Sequence, residues 1–345
     1  MTMTTVDEAA TPAEGPRRER RTRGVGIGPV VRKEFSDLVS GVRFYILLAA
    51  LGVFAVAAMY VSTQTIRDVI STNLNQITDA RNVFLAAFTT ANESVPVSFL
   101  DLISFLGPLV GIALGIDAVN AERNRGTLAR LVAQPIHRDA IINGKFVAGL
   151  LVVAVLFGAM FLVVSGVNLL ILGVAPSPEE IIRIFLFYLL TVIYVGFWLG
   201  VSILLSTAVR QAGTAALAAL AIWMLFVLLW GLLAGLAANA IAPQPSDATI
   251  DEQVHHDAVQ NGIIRLSPSG LYSEASEVLL APTERTTSIG AQLRLAQSGG
   301  AVSGAPLSLP QSMLLVWPQL TGIIAATVVC FALAYGVFMR QEIRS

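Results

Sequence analysis

Six long apolar segments constrain the fold of this 345-residue chain more than any other feature. A helix needs about 20 mainly apolar residues to cross the hydrocarbon core of a bilayer. The six segments approach or exceed that length and lie at about residues 44–61, 99–119, 146–173, 184–209, 214–241 and 313–339. None alternates polar and apolar residues as a strand of a membrane barrel does. We therefore predict an all-α integral membrane protein with six transmembrane helices.

The composition excludes several other classes of protein. Hydrophobic residues make up 55% of the chain and charged residues 13%, against about 45–50% and about 25% in ordinary soluble domains. The chain is thus expected to have the lipid bilayer as its main environment, not to be a soluble enzyme. Its net charge of −1 lacks the basic field that nucleic-acid binding requires, so no nucleic-acid partner is expected. A single cysteine, Cys330, excludes an intrachain disulfide and a cysteine-based metal site.

The distribution of Lys and Arg predicts the orientation. Sixteen of the 22 fall in segments on the same side as the N-terminus. The positive-inside rule then places both termini in the cytoplasm. We expect residues 1–29 to be a disordered, Arg-rich cytoplasmic tail and residues 30–345 to form the transmembrane domain. Two external segments follow, at about 62–98 with one or two short helices, and at about 242–312 as a small cap or mobile loop.

Glycines recur at four-residue spacing in three of the apolar segments. On one face of a helix, such residues allow two backbones to approach closely, within one bundle or at a dimer seam. The alternative is that glycine is simply frequent in membrane helices. The residues interpreted as helix-packing glycines are Gly107, Gly111, Gly115, Gly196, Gly200, Gly231 and Gly235.

The sequence contains no recognisable catalytic motif. No phosphate-binding loop, zinc-binding His-Glu-x-x-His helix or Gly-x-Ser-x-Gly nucleophile turn occurs, so we expect no catalytic residue and no cofactor in this chain. His255 and His256 lie among acidic residues, but they are interpreted as part of a polar loop and not as a metal site. Five apolar segments carry no charge in their middles, and Asp101 and Asp117 lie near the ends of the second, which disfavours an ion-coupled carrier.

The segment between the second and third apolar runs predicts a short amphipathic helix. Thr127 is placed to cap it after Gly126, and Pro135 is placed to end it. Its apolar face consists of Leu128, Leu131 and Val132. Such a helix is suited to docking in a groove of a partner protein or to resting on lipid, and the pattern alone leaves both open.

The same segment carries a family resemblance. The residues concerned are Glu122, Arg123, Gly126, Thr127, Leu128, Leu131, Pro135, Arg138, Ile141, Gly144 and Lys145. Their order and spacing resemble the Glu-Arg-x-x-Gly-Thr-Leu…Pro…Arg…Gly-Lys signature of ABC-2 type transporter permeases. The nearest branch includes the membrane subunit of the nitrous-oxide-reductase copper-maturation exporter. Val31–Phe35 is similar to the amphipathic elbow helix of that family, and Leu266–Tyr272 to its external Pro-x-Gly-x-Tyr element.

The resemblance implies the permease subunit of an ATP-binding cassette exporter in the cytoplasmic membrane. Such a subunit pairs with a second copy or a close paralogue, and docks two separate ATPase subunits that bind ATP and Mg²⁺. The short helix is then the coupling helix, with Leu128, Leu131 and Val132 as its apolar contact. Its orientation is set by charge through Glu122, Arg123, Arg130 and Arg138. The readings that remain open are an ATP-independent channel or secondary carrier, and a membrane anchor of a multi-subunit complex.

Overall fold

The computed structural model describes residues 26–72, 83–91, 97–124, 138–243, 249–282 and 307–340. All regular elements within these ranges are helical. We number the α-helices α1 (Ile27–Ser40), α2 (Val42–Thr72), α3 (Val83–Thr89), α4 (Phe99–Gly115), α5 (Asn120–Asn124), α6 (Arg138–Leu172), α7 (Pro178–Ala208), α8 (Ala212–Trp223), α9 (Trp230–Ile241), α10 (Ile250–Ile264), α11 (Pro268–Leu280) and α12 (Leu309–Arg340). A π-helical segment, Met224–Leu229, joins α8 to α9.

Within the described ranges, six helical stretches are long and apolar enough to span a membrane, which agrees with the sequence prediction. They are Val42–Arg67, Phe99–Arg123, Asp139–Leu172, Pro178–Ala208, Ala212–Ile241 and Leu309–Arg340. Several helices run past the apolar segments that predicted them, because backbone hydrogen bonding continues into the flanking polar residues. Most of the predicted tail lies outside the described residues, and α1 begins at Ile27.

The fourth span, α7, lies at the centre of the bundle. It packs against α4, α6, α11 and α12. Trp198, Tyr194 and Phe187 on this helix are fully buried. The end of the bundle that holds α1, α5 and the start of α6 is called the loop end below. The end where α6 stops and α7 begins is called the opposite end.

Glycines allow α4 and α7 to meet backbone to backbone. A Cβ atom added at Gly111 would lie 2.7 Å from the carbonyl oxygen of Val195, and one at Gly115 would lie 2.8 Å from Cβ of Ser202. At Gly107 the nearest atom would be Cγ2 of Val195, at 3.1 Å. These three glycines therefore form a seam within one chain, as close-packed membrane helices require.

The other four glycines have different surroundings. A Cβ at Gly196 would lie 2.9 Å from Cδ1 of Leu150 on α6, whereas one at Gly200 would make only ordinary contacts. Gly235 has one ordinary contact, and Gly231 faces open space in the single chain. Close approach within the chain therefore involves the glycines of α4 and Gly196 on α7, and not those of the fifth span.

Helices α10 and α11 form a hairpin, residues 250–280, that is inserted against the bundle. The sequence predicts a small cap or mobile loop here, but eight of the thirteen residues of α11 are buried. Tyr272 of α11 stacks on Tyr194 of α7, with ring centroids 4.2 Å apart, and its hydroxyl lies 3.0 Å from Oγ1 of Thr191. Gly270 permits the tight turn between the two helices, since a Cβ there would lie 2.3 Å from the carbonyl oxygen of Ile264.

Arg183 ties the hairpin to the opposite end of the bundle. Its guanidinium is fully buried and donates to the carbonyl oxygens of Leu279 (3.2 Å) and Leu307 (2.6 Å) and to Oγ of Ser312 (3.0 Å). It also donates to Oε1 of Glu179, one turn earlier on α7. One side chain thus joins α7, the end of α11 and the beginning of α12.

Candidate coupling site at the loop end

A buried lysine joins three elements at the loop end. The ammonium of Lys145, on α6, donates to Oε2 of Glu34 on α1 at 3.0 Å and to Oε1 of Glu122 on α5 at 2.7 Å. The Lys145 side chain is 6% exposed, and those of Glu34 and Glu122 are 15% and 17% exposed. We call Glu34, Lys145 and Glu122 the charged cluster.

Helix α1 reaches the cluster because of its own pattern and because of a glycine on α6. Phe35, Leu38 and Val39 pack on the core from one face, while Lys33 and Asp37 are exposed. A Cβ at Gly144 would lie 2.6 Å from Cγ1 of Val30, so α1 rests directly on the backbone of α6. The residue that follows, Lys145, is thereby brought within reach of Glu34.

Lys33 adds a second positive charge beside Glu34. Its ammonium lies 3.1 Å from Oε1 of Glu34 and 3.2 Å from Oδ2 of Asp37. Burial lowers the pKa of Lys33, but the hydrogen bonds and charges of Glu34 and Asp37 outweigh it and leave that pKa above its usual value. Lys33 is therefore protonated at neutral pH and forms ion pairs with both carboxylates.

Further contacts fix the junction between α4 and α5. Oγ of Ser206, near the end of α7, accepts the backbone N–H groups of Val119 and Asn120, each at 3.2 Å. Nη2 of Arg123 donates to the carbonyl oxygen of Thr207 at 3.4 Å, and Asp117 forms an ion pair with Arg43 at the start of α2. The chain that enters the loop is thus held by α2 and α7, in addition to α1 and α6.

The predicted coupling residues divide between described and undescribed parts of the chain. Glu122 joins the charged cluster and Arg123 lies against α7. Arg138 is the first residue of α6, and its side chain is outside the described part. The residues that lie outside the described ranges are Gly126, Thr127, Leu128, Arg130, Leu131, Val132 and Pro135. The structure therefore shows where the chain enters the 122–138 loop, at α5, and where it leaves the loop, at the start of α6.

Sequence reasoning missed the partnership of Glu34, Lys145 and Glu122. All three residues were in segments that carried the family resemblance, but none had been paired. The signal available in the sequence was a lysine at the start of the third apolar segment, with acidic residues in two of the polar segments that precede it. The sequence alone does not show that Lys145 and Glu34, which are 111 positions apart, are neighbours with 3.0 Å between Nζ and Oε2.

His256, the second residue of the histidine pair, has a local structural role. Nδ1 of His256 lies 2.7 Å from the carbonyl oxygen of Ala242, and the side chain is buried between α9 and α10. Among the described residues, no three His, Cys, Asp or Glu side chains come together as a metal site.

The described residues contain six candidate spans, an amphipathic helix ahead of the first, and a charged cluster at the loop between the second and third spans. These features are those of a polytopic membrane protein of the permease class. Residues 29–343 match the family model described as "ABC-2 family transporter protein". The chain belongs to the ABC-2 transporter family.

Two curated relatives carry the name "Probable ABC transporter permease protein NosY". The protein from Stutzerimonas stutzeri is 32% identical over 211 residues, which cover 59% of this chain and 67% of that protein. The one from Pseudomonas aeruginosa is 29% identical over 259 residues, covering 74% of this chain and 83% of that protein. The chain is thus a membrane subunit of an ABC transporter, a class that works with an ATPase partner and in dimeric arrangements.

Proposed function

We propose that this chain is the transmembrane half of an ATP-driven exporter in the cytoplasmic membrane. In this proposal a second permease copy, or a close paralogue, completes the pathway. Two separate ATPase subunits bind ATP and Mg²⁺ and dock on the 122–138 loop, and the chain itself holds no cofactor. The observation that carries the proposal is the charged cluster, which holds the beginning of that loop and its return into α6 against α1.

The orientation follows from the positive-inside rule and puts the loop end in the cytoplasm. The loop end carries most of the Lys and Arg, including Arg43, Arg123 and Lys145. Helix α1 then lies at the inner membrane surface as an elbow before the first span. This orientation places the loop on the side where ATP is available.

Coupling in this proposal is a rigid-body movement of the loop end. Closure of the two ATPase subunits around ATP shifts the docked loops. ATP favours the closed state of the ATPase subunits, and the conformational equilibrium of the whole transporter moves with it. The charged cluster passes the shift to α1 and α6, and Ser206 passes it to α7. Because α7 contacts most other spans, a displacement at its end reaches the bundle interior.

The coupling residues have distinct roles in this proposal. Leu128, Leu131 and Val132 form the apolar face that enters a groove of the ATPase. Arg130 and Arg138 orient it by charge. Glu122 faces Lys145 inside the chain, so it acts as a positioning residue that holds the loop.

A substitution in the apolar face tests the proposal. Leu131→Asp places a charge in the proposed docking surface, and we expect loss of ATPase co-purification and of substrate-stimulated ATP hydrolysis in proteoliposomes. Leu131→Ile is the matched control and is expected to behave as the parent protein. Normal co-purification and transport by Leu131→Asp contradict the docking assignment. Transport that continues without ATP contradicts the exporter and supports a channel or carrier.

A further inference from the structure

An open groove lies between α1 and the exposed face of α6. Its volume is about 370 Å³, within the range of about 300–1,000 Å³ that is typical of small-molecule sites. The residues that line it are Gly28, Val31, Arg32 and Phe35 of α1 and Leu151 and Val155 of α6. The lining is therefore apolar except at Arg32. We call this space the α1–α6 groove.

The α6 side of the α1–α6 groove lies within a membrane-spanning stretch. Val155 is at the middle of the third span, Asp139–Leu172, and Leu151 lies one turn nearer to the loop end. Leu151 and Val155 follow Lys145 by six and ten residues, which at 1.5 Å per residue places them about 9 and 15 Å further along the helix. The groove therefore extends from the level of the charged cluster toward the middle of the bilayer.

This face of α6 is open in the single chain. Leu151 is 45% exposed and Val155 is 48% exposed, and Val147, one turn before Leu151, is 38% exposed. Residues at four-residue spacing lie on one face of a helix, so these three form an apolar stripe. Within a bilayer, such a stripe contacts either lipid chains or another protein chain.

Arg32 brings a positive charge to the α1–α6 groove. It is exposed, and among the described residues it forms no ion pair. The two acidic residues of α1, Glu34 and Asp37, are paired with Lys33, and Glu34 also with Lys145. The positions three and four residues away from Arg32 along α1 are uncharged, and so are the other lining residues. The described lining therefore has a net charge of +1.

An apolar wall together with one exposed guanidinium favours an anionic phospholipid. A guanidinium presents its donors in a planar fork, which binds phosphate through two parallel hydrogen bonds. The aliphatic stem of an arginine lies along apolar surface while its charged end reaches the membrane–water interface. An apolar surface of a second protein chain would cover Leu151 and Val155 but leave the charge of Arg32 without a partner. An anionic phospholipid satisfies both parts of the groove.

We propose that the α1–α6 groove binds an anionic phospholipid, with an acyl chain along Leu151 and Val155 and the phosphate beside Arg32. The lipid also contacts Val31 and Phe35, so it fastens α1 to α6 next to the charged cluster. An influence of the lipid on ATPase coupling rests on the proposed function, whereas binding itself does not. Binding is therefore measured on the full chain, without ATPase or nucleotide.

The first test compares two phospholipids with the same acyl chains. Delipidated protein in detergent is titrated with phosphatidylglycerol or phosphatidylcholine, and native mass spectrometry measures the affinity for the first bound lipid. Phosphatidylglycerol is expected to bind about tenfold more tightly, through its charge-assisted contact with the guanidinium, and Arg32→Gln is expected to remove this preference.

Arg340→Gln is the matched control for the first test. Arg340 is an exposed arginine that ends α12 at the loop end, and it lies outside the α1–α6 groove. This variant is expected to keep the preference of the parent protein for phosphatidylglycerol. Equal binding of the two lipids to the parent protein, or a preference that survives Arg32→Gln, overturns the proposal.

A second test locates the lipid at the groove. In a Cys330→Ala background, a bimane fluorophore is attached at Val147→Cys, one turn from Leu151. The protein is placed in phosphatidylcholine nanodiscs that contain a small, fixed fraction of brominated phosphatidylglycerol or of equally brominated phosphatidylcholine. Bromine quenches the fluorophore on contact, so stronger quenching by phosphatidylglycerol is expected. Arg32→Gln is expected to abolish the difference.

Val163→Cys is the matched control for the second test. Val163 is 51% exposed on α6 and lies outside the groove, so the two brominated lipids are expected to quench a fluorophore there equally. Equal quenching at Val147→Cys overturns the proposal. Absence of quenching there by either lipid also overturns it, because another protein chain then covers the groove. A negative result in either test leaves the ATPase-docking test unaffected.

Discussion

Each end of the bundle buries a cationic side chain, Lys145 at the loop end and Arg183 at the opposite end, but the partners of the two cations differ. At the loop end, Lys145 is balanced by two carboxylates from two other helices. At the opposite end, Arg183 directs its five donors to two carbonyls, a hydroxyl and one partly exposed carboxylate. A lysine is a compact point charge, whereas an arginine is a rigid fork with several donors. The loop end is therefore held by charge, and the opposite end by hydrogen-bond geometry.

The two kinds of contact differ in how much displacement of the helices they tolerate. Ion pairs between separate helices tolerate small shifts, because Coulomb energy varies gradually with distance. A fork of directed hydrogen bonds tolerates little misalignment. In the proposed exporter, the loop end is then suited to receive movement, and the opposite end is suited to hold α7, α11 and α12 together.

Loss of the buried lysine is the largest expected effect. Lys145→Met removes the ammonium that the partly buried carboxylates of Glu34 and Glu122 share, and we expect the free energy of unfolding in detergent to fall by about 3 kcal/mol. ATPase coupling is expected to fail as well. The matched control adds Glu34→Gln and Glu122→Gln to Lys145→Met and is expected to recover much of the stability. A single variant as stable as the parent protein contradicts the role of charge at the loop end.

Arginine and lysine are expected to differ at the opposite end. Arg183→Lys keeps the charge but loses the planar fork, so some acceptors among Leu279, Leu307 and Ser312 lose their donor. We expect a loss of about 1–3 kcal/mol in the free energy of unfolding, with ATPase co-purification intact. If co-purification fails while stability is unchanged, the two ends do not have separate roles.

Two glycines on α6 sharpen the comparison with a smaller effect. Gly144→Ala places a Cβ 2.6 Å from Cγ1 of Val30, and the forced shift of α1 is expected to cost about 1–3 kcal/mol and to weaken coupling. Gly166→Ala is the matched control, since a Cβ there meets open space and stability is expected to change by less than about 1 kcal/mol. Thermal unfolding of both variants measures the difference. Equal effects at the two sites contradict direct contact between α1 and α6.

Much of the fold was predictable because the bilayer imposes it. Apolar length alone located six spans, and four-residue glycine spacing identified the α4 face that meets α7. The same spacing in the fifth span did not indicate contact within the chain, because Gly231 faces open space. Spacing shows that close approach is possible, but it does not identify the neighbouring helix.

The candidate site was predictable only in part. The family signature located the loop and named Glu122 and Arg123, yet the partner of Glu122 came from α6 and the third member of the cluster from α1. The hairpin was harder still. Polar residues such as Arg265 and Glu274 suggested an external loop, because hydropathy does not record that the two charges neutralise each other.

The sequence by itself determined the class of protein: runs of apolar residues this long have no stable fold in water, and lipid forces their backbones into helices. The family signature could also be found in the sequence, because it depends only on the order and spacing of residues within one segment. Only the tertiary structure decided which distant groups meet, namely Lys145 with Glu34 and Glu122, Arg183 with α11 and α12, and the hairpin with the fifth span. Those contacts depend on helix packing in three dimensions, where a missing side chain at Gly144 or Gly270 sets the distance between two elements.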